Sequence, residues 1–259
     1  MTQCMKENDV KNLVFSSSAC VYGVPKYLPL DEKHPCEASQ IPSPYGKTKY
    51  MCEQMLNDLY RSDASWNIIV LRYFNPVGAH ESGLIGENPV GVPQHLAPFI
   101  SQVAVGKYPE VKIFGNDYET PDGTGVRDYI HIKDLSVGHC KALQKLLKER
   151  PGLKVYNLGT GRGYSVLELI RTFERVCGKP IPCRVVERRP GDVVQFYSDP
   201  SLAERELDWK ATRGLEQMCM YIAYYSKFTV RSILFSYIFL IIYLGKDLWN
   251  WQIKNPTGF

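Results

Sequence analysis

The sequence predicts an α/β fold whose main layer is a parallel β-sheet. Residues 13–15 and 68–73 are short apolar runs, typical of strands that are covered on both faces. Between them, residues 45–60 form a candidate long helix with a loose apolar side, and residues 25–44 form a loop rich in Pro and Ser. A strand, a long helix and a second strand in this order favour parallel pairing of the two strands.

Further elements are predicted on either side of this unit. Residues 1–10 indicate a helix, and residues 127–131 with a helix over 134–148 are expected to return to the main sheet. Ser165 and Glu168 have the spacing of a capping box that opens a helix ending at Gly178. Residues 184–187 are expected to form a strand followed by a charged loop. Frequent Gly and Pro after Asn75 indicate a smaller α/β lobe interleaved with the last part of the sheet.

Composition excludes several classes of function. The apolar content of 44% and charged content of 22% are ordinary for a globular protein. The formal charge of +4 is too small and too dispersed to indicate nucleic-acid binding. The eight cysteines form no Cys-x-x-Cys pair and the N-terminus does not resemble a signal peptide, so reduced thiols in the cytoplasm are expected. The five histidines lack a metal-ligand spacing, so no metal site is expected.

Three residues carry the candidate chemistry. Ser18 follows the first strand, so its hydroxyl is expected at the carboxyl end of the sheet, where open α/β sheets bind ligands. Tyr45 and Lys49 are four residues apart, which places them one above the other on a helix. An ammonium near a phenol favours the phenolate, so Tyr45 could take a proton from a sugar or alcohol hydroxyl that Ser18 holds. Taken alone, the Tyr-x-x-x-Lys spacing also fits a solvated helix face.

No glycine-rich phosphate turn precedes Ser18. A dinucleotide-binding fold carries such a turn between its first strand and first helix, so we expect the sheet to begin part-way and the chain to be truncated at its N-terminus. The run at 159–163 resembles such a turn, but its third glycine comes two residues after the second instead of three. We therefore predict a tight strand–helix turn there.

Four polar residues have the chemistry that a nucleotide diphosphate sugar needs. Arg127 and Arg189 suit a diphosphate, because a guanidinium binds phosphate through a fork of donors. Asn75 suits a hexose hydroxyl or a phosphate oxygen, and Asp192 suits a ribose hydroxyl. Without further context, surface salt bridges for the arginines and a turn cap for Asn75 are the favoured interpretations.

Several runs of the sequence are distinctive, and they are spread over residues 11–192. They are KNLVFSSSACVYG at 11–23, SPYGKTK at 43–49, LRYFNPVGAH at 71–80, FGNDY at 114–118, DGTGVRDYIH at 122–131, YNLGTG at 156–161 and RRPGD at 188–192. In this order they resemble the extended short-chain dehydrogenase/reductase family and, within it, the group of UDP-glucose 4-epimerases.

The resemblance implies a Rossmann-type fold, NAD as the cofactor and a place in galactose metabolism. The implied reaction interconverts UDP-glucose and UDP-galactose at C4 by hydride transfer through a 4-keto intermediate. Tyr45 would remove the proton from O4, Lys49 would assist Tyr45 and hold the nicotinamide ribose, and Ser18 would orient O4. Tyr73 is a second implied cofactor contact. The alternatives are a non-catalytic UDP-sugar-binding fragment and another nucleotide-sugar epimerase or dehydratase.

The resemblance also implies a set of UDP-sugar contacts. They are Ser18, Ala19, Cys20, Tyr73, Phe74, Asn75, Gln94, His95, Leu96, Lys112, Ile113, Phe114, Arg127, Arg189, Pro190, Gly191 and Asp192. Phe196 takes the place that lies near the C2 substituent of the sugar in the family, and its size implies selection against N-acetylated UDP-sugars. Two departures weaken individual contacts. Gln94 and His95 replace two asparagines, and Cys20 replaces a threonine with a thiol, which is a poor donor.

We expect two interleaved units. Residues 1–74 and 126–160 would form the remainder of the NAD-binding domain, and residues 75–125 and 161–219 the UDP-sugar-binding lobe. Residues 246–259 would complete a C-terminal helix and tail. Residues 220–245 have no counterpart in the family and interrupt that helix, because their removal aligns five apolar residues on one face: Leu215, Met218, Cys219, Leu248 and Trp249.

We interpret residues 220–245 as a translated intron; the alternative is a tail anchor or a partner helix. Membrane association is not expected, since the uncharged run at 232–245 is shorter than the roughly 20 residues that span a bilayer. The resemblance further implies a homodimer and no nucleic-acid partner. The chain as written is expected to be inactive alone, because the pyrophosphate turn is missing and residues 13–15 would form an exposed strand edge.

Overall fold

The computed structural model of the protein describes residues 1–80, 86–87, 91–220 and 222. In chain order the elements are α1 (Thr2–Glu7), β1 (Asn12–Ser18), α2 (Pro44–Ser62), β2 (Asn67–Tyr73), β3 (Asn75–Val77), α3 (Leu96–Ala104), β4 (Val111–Phe114), β5 (Val126–Arg127), β6 (Tyr129–His131), α4 (Ile132–Glu149), β7 (Leu153–Leu158), β8 (Tyr164–Ser165), α5 (Val166–Cys177), β9 (Cys183–Val186), β10 (Gln195–Phe196) and α6 (Ser201–Leu207). Short 3₁₀ turns cover Ala19–Tyr22 and Ala38–Gln40.

The main sheet has three parallel strands in the order β1-β2-β7. Its central strand β2 is buried along its length except at Tyr73, as the continuous apolar run predicts for a strand covered on both faces. The prediction of parallel strands joined by a long helix is confirmed. Strand β1 continues to Ser18, three residues beyond the predicted end at Phe15, because the polar side chains of that segment do not interrupt backbone pairing with β2.

Alternate residues of β2 pack on opposite faces of the sheet. Ile68 and Val70 lie in one apolar cluster with Leu56 of α2, while Ile69 and Leu71 lie in another with residues of α4 and α6. The period of two residues along a strand requires this division. Each fully buried side chain of this size contributes about 1.5–3 kcal/mol to folding, so the two helix layers hold the sheet from both sides.

Helix α2 begins one residue earlier than predicted and ends two residues later. Ser43 caps it by accepting a hydrogen bond from the backbone N–H of Gly46 at 3.0 Å, and Pro44 occupies the first turn, where its missing N–H is harmless. The sequence therefore fixes the start of the helix immediately before Tyr45.

Smaller sheets follow the main one. Strand β3 pairs with β6 and β4 with β9, both in parallel, and β10-β5-β8 form a mixed sheet. The expectation that residues 127–131 return to the main sheet is wrong, because β5 and β6 pair with these short strands. The predicted helix does return to the main sheet as α4, because its apolar side chains cover one face of that sheet. Strand β7 follows it and pairs with β2.

The helix predicted from the capping box is confirmed as α5. Ser165 Oγ accepts the N–H of Glu168 at 2.9 Å and donates to the Asp122 carboxylate, and Gly178 ends the helix in a left-handed conformation. Residues 215–220 are helical, and Leu215, Met218 and Cys219 are buried together, as predicted. The remainder of the expected insert at 220–245 and the tail at 246–259 lie outside the described residues, apart from Met220 and Ile222.

Replacing Ser165 by Ala is expected to lower the free energy of unfolding by about 1 kcal/mol, because the start of α5 loses its cap. Urea unfolding midpoints of the variant and the parent protein measure this difference. Ser62→Ala is the matched control, since its hydroxyl is exposed at the end of α2, and it should change the free energy by less than about 0.5 kcal/mol. An unchanged midpoint for Ser165→Ala would contradict the assigned role of the cap.

Candidate active site

The carboxyl ends of β1 and β2 form the floor of the candidate site. Ser18, the last residue of β1, is buried and is paired in register with Tyr73, the last residue of β2. Ser18 also opens the 3₁₀ turn at Ala19–Tyr22, where its Oγ accepts the N–H of Cys20 at 3.2 Å. The chain turns away at this point, which leaves the serine at the sheet edge where ligands of α/β folds bind.

The start of α2 lies beside this floor. The Nζ of Lys49 is 5.7 Å from the centroid of the Tyr45 ring, and it donates a hydrogen bond to the carbonyl oxygen of Ser16 at 2.8 Å. Tyr45 is 55% exposed, so its hydroxyl is accessible to a ligand. The predicted juxtaposition of this phenol and ammonium on one side of a helix is therefore present next to the end of β1.

Gly46 allows the close approach of α2 to the turn after Ser18. A Cβ atom at this position would lie 2.9 Å from the carbonyl oxygen of Cys20 and 2.7 Å from Cγ2 of Ile41. Real Cβ atoms do not approach a backbone oxygen so closely. The absence of a side chain at Gly46 thus determines how near Tyr45 comes to the end of β1.

Tyr73 is held from the side of α4. The Nδ1 of His139 lies 2.8 Å from the carbonyl oxygen of Leu135, which can only accept, so Nδ1 carries the proton and Nε2 accepts a hydrogen bond from the Tyr73 hydroxyl. Burial raises the pKa of the Tyr73 phenol above its usual value. The phenol therefore keeps the proton that this hydrogen bond needs.

An arginine pair lies at the second part of the site. The Asp192 carboxylate accepts from Arg127 through one oxygen and from Arg189 at 2.9 Å through the other. The Arg127 and Asp192 side chains are 18% and 16% exposed, so the predicted alternative of a simple surface salt bridge describes only the more exposed Arg189. The guanidinium of Arg189 also lies 4.7 Å from the ring centroid of Phe114, which brings β4 to the same place.

Phe196 and Phe74 connect the two parts of the site. Their ring centroids are 5.6 Å apart, and both are buried in one apolar cluster with Ala19. Phe196 is also the register partner of Arg127 in the β10–β5 pair. Asn75 follows Phe74 and is half-buried at the start of β3. These contacts join the Ser18 region to the arginine pair without a break.

Other predicted contacts lie at the margins. Pro190 and Gly191 form the exposed turn before Asp192, and Gly191 adopts a positive φ of 76°. Gln94 and His95 precede α3, with side-chain contacts to Val92 and Glu87, and Leu96 packs against the core around α3. In β4, Ile113 is buried whereas Lys112 is exposed. Cys20 is exposed beside Ser18.

The glycine run at 159–163 is a tight turn, as predicted. The buried Asp128 carboxylate accepts the backbone N–H groups of Thr160 at 2.9 Å and Gly161 at 3.2 Å, and the hydroxyls of Thr160 and Ser198 at 2.6 Å each. A phosphate on this turn would need the same amides. The turn therefore stabilises the fold and does not offer a nucleotide phosphate site.

Sequence reasoning missed a buried polar cluster directly behind the site. Glu53 of α2 accepts hydrogen bonds from Ser17 and Arg72, and the Tyr22 hydroxyl donates to Asn157 at 2.7 Å next to them. The signal was present, because Glu53 follows Lys49 by four residues on the same helix. A carboxylate on the sheet-facing side of a helix has to find donors there.

Three further features concern the described part of the chain. No group of three or more His, Cys, Asp or Glu side chains that could hold a metal ion occurs among the residues that the structure describes. Over the same residues, no helix combines the length and the apolar character that a membrane crossing requires. The eight cysteines are all free thiols.

The chain is similar to known proteins along its whole length. Residues 1–159 match the model of the NAD dependent epimerase/dehydratase family. The chain is 51% identical over 259 residues to UDP-glucose 4-epimerase of Homo sapiens and 49% identical to that of Bacillus subtilis. All of the chain is covered in both comparisons, and it spans 66% and 68% of the two relatives, or about two thirds of their length.

Solved structures show the same fold. The UDP-glucose 4-epimerase of Bifidobacterium longum, in complex with NAD+ and UDP, superposes with a TM-score of 0.83 at 46% identity, over 100% of this chain and 68% of that one. The enzyme of Stenotrophomonas maltophila, with NAD and formylated UDP-arabinopyranose, gives a TM-score of 0.84 at 49% identity over 87% and 66% of the two chains. The Rossmann-type parallel sheet predicted from the sequence is confirmed, and the chain belongs to the NAD dependent epimerase/dehydratase family.

Proposed function

We propose that this chain carries the catalytic residues and the UDP-sugar contacts of an enzyme that interconverts UDP-glucose and UDP-galactose. The observation that carries the proposal is the arrangement of Tyr45, Lys49 and Ser18. A phenol and an ammonium on one helix lie at the end of the strand that presents the serine hydroxyl. Similarity to UDP-glucose 4-epimerases supports the choice of substrate.

Each of the three side chains has a defined task in this reaction. Tyr45 takes the proton from O4 of the sugar as the keto group forms at C4, and returns it to O4 once the sugar has turned over in the site. The Lys49 ammonium stabilises the negative charge that the Tyr45 oxygen carries before it takes the proton and again after it returns the proton. Ser18 donates a hydrogen bond to O4 and holds it near the phenol.

The described residues fit the nicotinamide end of NAD. An ammonium has three donors, and the contact from Lys49 to Ser16 uses one of them, so two are available for ribose hydroxyls. Tyr73 lies at the end of β2, opposite Ser18 at the end of β1, and is held by His139. NAD, when bound, supplies the hydride acceptor and donor for C4. The turn at 159–163 does not hold its phosphates, because Asp128 occupies the amides.

The UDP part would be held by the arginine pair. A diphosphate offers the same kind of oxygen acceptors to Arg127 and Arg189 that Asp192 now offers. When a diphosphate accepts some of the hydrogen bonds of the two guanidinium groups, one Asp192 oxygen becomes available to a ribose hydroxyl. Phe114, stacked under Arg189, gives a nucleobase an apolar wall. Three groups of predicted contacts would border the sugar. They are residues 18–20, 73–75 and 94–96.

We also propose that the protein forms a homodimer and resides in the cytoplasm. Met51 and Met55 of α2 are 57% and 62% exposed, and their spacing of four residues makes an apolar patch on the outer side of that helix. Eight free cysteines are compatible with a reducing compartment. A UDP-sugar-binding protein without turnover remains the second candidate, because the arginine pair does not depend on the catalytic residues.

Tyr45→Phe, in the longest natural form of the protein, is expected to lower kcat at least about 100-fold, because the variant lacks the group that moves the proton. The KM for UDP-galactose should change by less than about threefold. Formation of UDP-glucose from UDP-galactose with added NAD measures both parameters.

Tyr50→Phe is the matched control. It also removes a phenol hydroxyl from α2, but Tyr50 is not one of the candidate site residues. Turnover of Tyr45→Phe within a few-fold of the parent would remove Tyr45 from the mechanism. UDP-sugar binding by the parent without any turnover would favour the second candidate.

Phe196→Leu is expected to raise the relative activity on N-acetylated UDP-sugars by roughly tenfold, because a smaller side chain leaves space for the acetamido group. The ratio of kcat/KM for UDP-N-acetylglucosamine and UDP-glucose measures the effect. Phe99→Leu is the control: Phe99 stacks on Tyr108 at 5.0 Å in another cluster. Equal ratios in the parent and in Phe196→Leu would show that Phe196 does not close the pocket.

A further inference from the structure

A buried carboxylate ties together the three elements that form the candidate site. Glu53 belongs to α2, and its side chain is 7% exposed. One of its oxygens accepts from Ser17 Oγ at 2.5 Å and from Arg72 Nε at 3.1 Å, and the other accepts from Arg72 Nη2 at 2.6 Å. Both oxygens are therefore engaged, and the three donors come from β1 and β2.

The Glu53 contact lies directly next to the candidate site residues on both the sheet and the helix. Ser17 and Arg72 are register partners in the β1–β2 pair, and the next pair is Ser18 with Tyr73. On the helix, Glu53 follows Lys49 by four residues and Tyr45 by eight, which at 1.5 Å per residue places it about 12 Å from Tyr45 along the axis. The carboxylate thus holds the strand pair one residue before the site and the helix one turn after Lys49.

The chemistry of the contact suits positioning. Burying charges is costly, and a buried ion pair is often no more stabilising than apolar residues of equal volume. A guanidinium and a carboxylate joined through two parallel hydrogen bonds do, however, restrict distance and orientation at once. Arg72 is itself held, because its guanidinium lies 4.7 Å from the ring centroid of Tyr22, and the Tyr22 hydroxyl donates to Asn157 of β7.

We propose that Glu53 is a positioning residue that fixes the helix carrying Tyr45 and Lys49 against the strand ends carrying Ser18 and Tyr73. The proposal rests on the function proposed above. Without this contact α2 would keep its apolar packing through Leu56 and its close approach at Gly46, but it would lose the buried hydrogen bonds that fix its height and rotation against the β1–β2 pair. A misplacement of about 1 Å can lower turnover strongly while substrate binding persists.

The test compares two buried carboxylates of similar burial and bonding. Glu53→Gln retains the shape and one acceptor oxygen but removes the charge and presents donors to Arg72. Asp134→Asn makes the same change at a carboxylate that is 3% exposed and accepts from Thr212 and Arg213, none of which is a candidate site residue. Ser17→Ala is a milder second variant. It removes the hydrogen bond from β1 to Glu53 and leaves the Glu53–Arg72 pair intact.

Steady-state kinetics and thermal unfolding are measured for all four proteins, each prepared in the longest natural form of the protein. Glu53→Gln is expected to lower kcat about tenfold or more with KM for UDP-galactose within about threefold, and Ser17→Ala to lower kcat to a smaller extent. Asp134→Asn should retain kcat within about threefold, even where its melting temperature falls as much as that of Glu53→Gln. If kcat is unchanged in folded Glu53→Gln or Ser17→Ala, or falls equally in Asp134→Asn, the proposal is overturned.

A structural measurement separates this proposal from the proposed function. In crystal structures, loss of the 2.8 Å contact between Lys49 Nζ and the Ser16 carbonyl oxygen in Glu53→Gln or Ser17→Ala supports positioning. Retention of that contact with α2 in place overturns it. A parent protein without turnover would reject the enzyme function alone, and the crystal structures would still decide the role of Glu53.

Discussion

Parallel pairing of β1, β2 and β7 is the constraint on which the rest of the molecule depends. Parallel strands end at the same edge of a sheet, so the residues that terminate β1 and β2 necessarily meet. The register pairs Ser18 with Tyr73, and a slip of one residue would move Ser18 to the opposite face and break the buried contact of Ser17 with Glu53. The apolar clusters on both faces of β2 oppose such a slip, because they would lose the burial of Ile68 to Leu71.

Charges in this protein are arranged in two ways, according to burial. Glu53 and Asp128 lie in the interior, and their oxygens accept donors from elements that are distant in the chain. Such groups are expensive to bury unless every hydrogen bond is made, so they restrict the relative placement of strands and turns. Asp192 is partly exposed and holds two arginines that a phosphate also attracts. The buried charges maintain the framework, and under the proposed function the accessible ones exchange partners with a ligand.

Close backbone approaches complete the framework at the site. Gly46 lets α2 contact the turn after Ser18, and Gly159 leaves space in which the Asp128 carboxylate and Ser198 hydroxyl fit. At both glycines an added Cβ would lie within 3 Å of an oxygen. Packing therefore determines the distance between the candidate catalytic helix and the sheet as much as hydrogen bonding does.

Local pattern was sufficient for much of the fold. The apolar run of β2, the loose apolar side of α2, and the capping box and glycine of α5 predicted these elements within one or two residues, because propensity, capping and burial act over a few neighbouring residues. Pattern failed at residues 127–131, where β5 and β6 join short sheets. Strands of two or three residues carry too little periodicity to show which partner they pair with.

Some features of the candidate site were likewise predictable from the sequence, and others were not. By itself the sequence determined which groups are available: a phenol and an ammonium one turn apart, a serine after a strand, and two arginines and an aspartate with the chemistry that a nucleotide diphosphate sugar needs. Only the tertiary structure decided three sets of hydrogen bonds. Glu53 accepts from Ser17 and Arg72, and His139 accepts from Tyr73. Asp128 accepts from the backbone N–H groups of the glycine turn. The partners of these contacts are separated by 19 to 66 residues. Such pairings depend on the order and register of strands, which the chemistry of neighbouring residues does not specify.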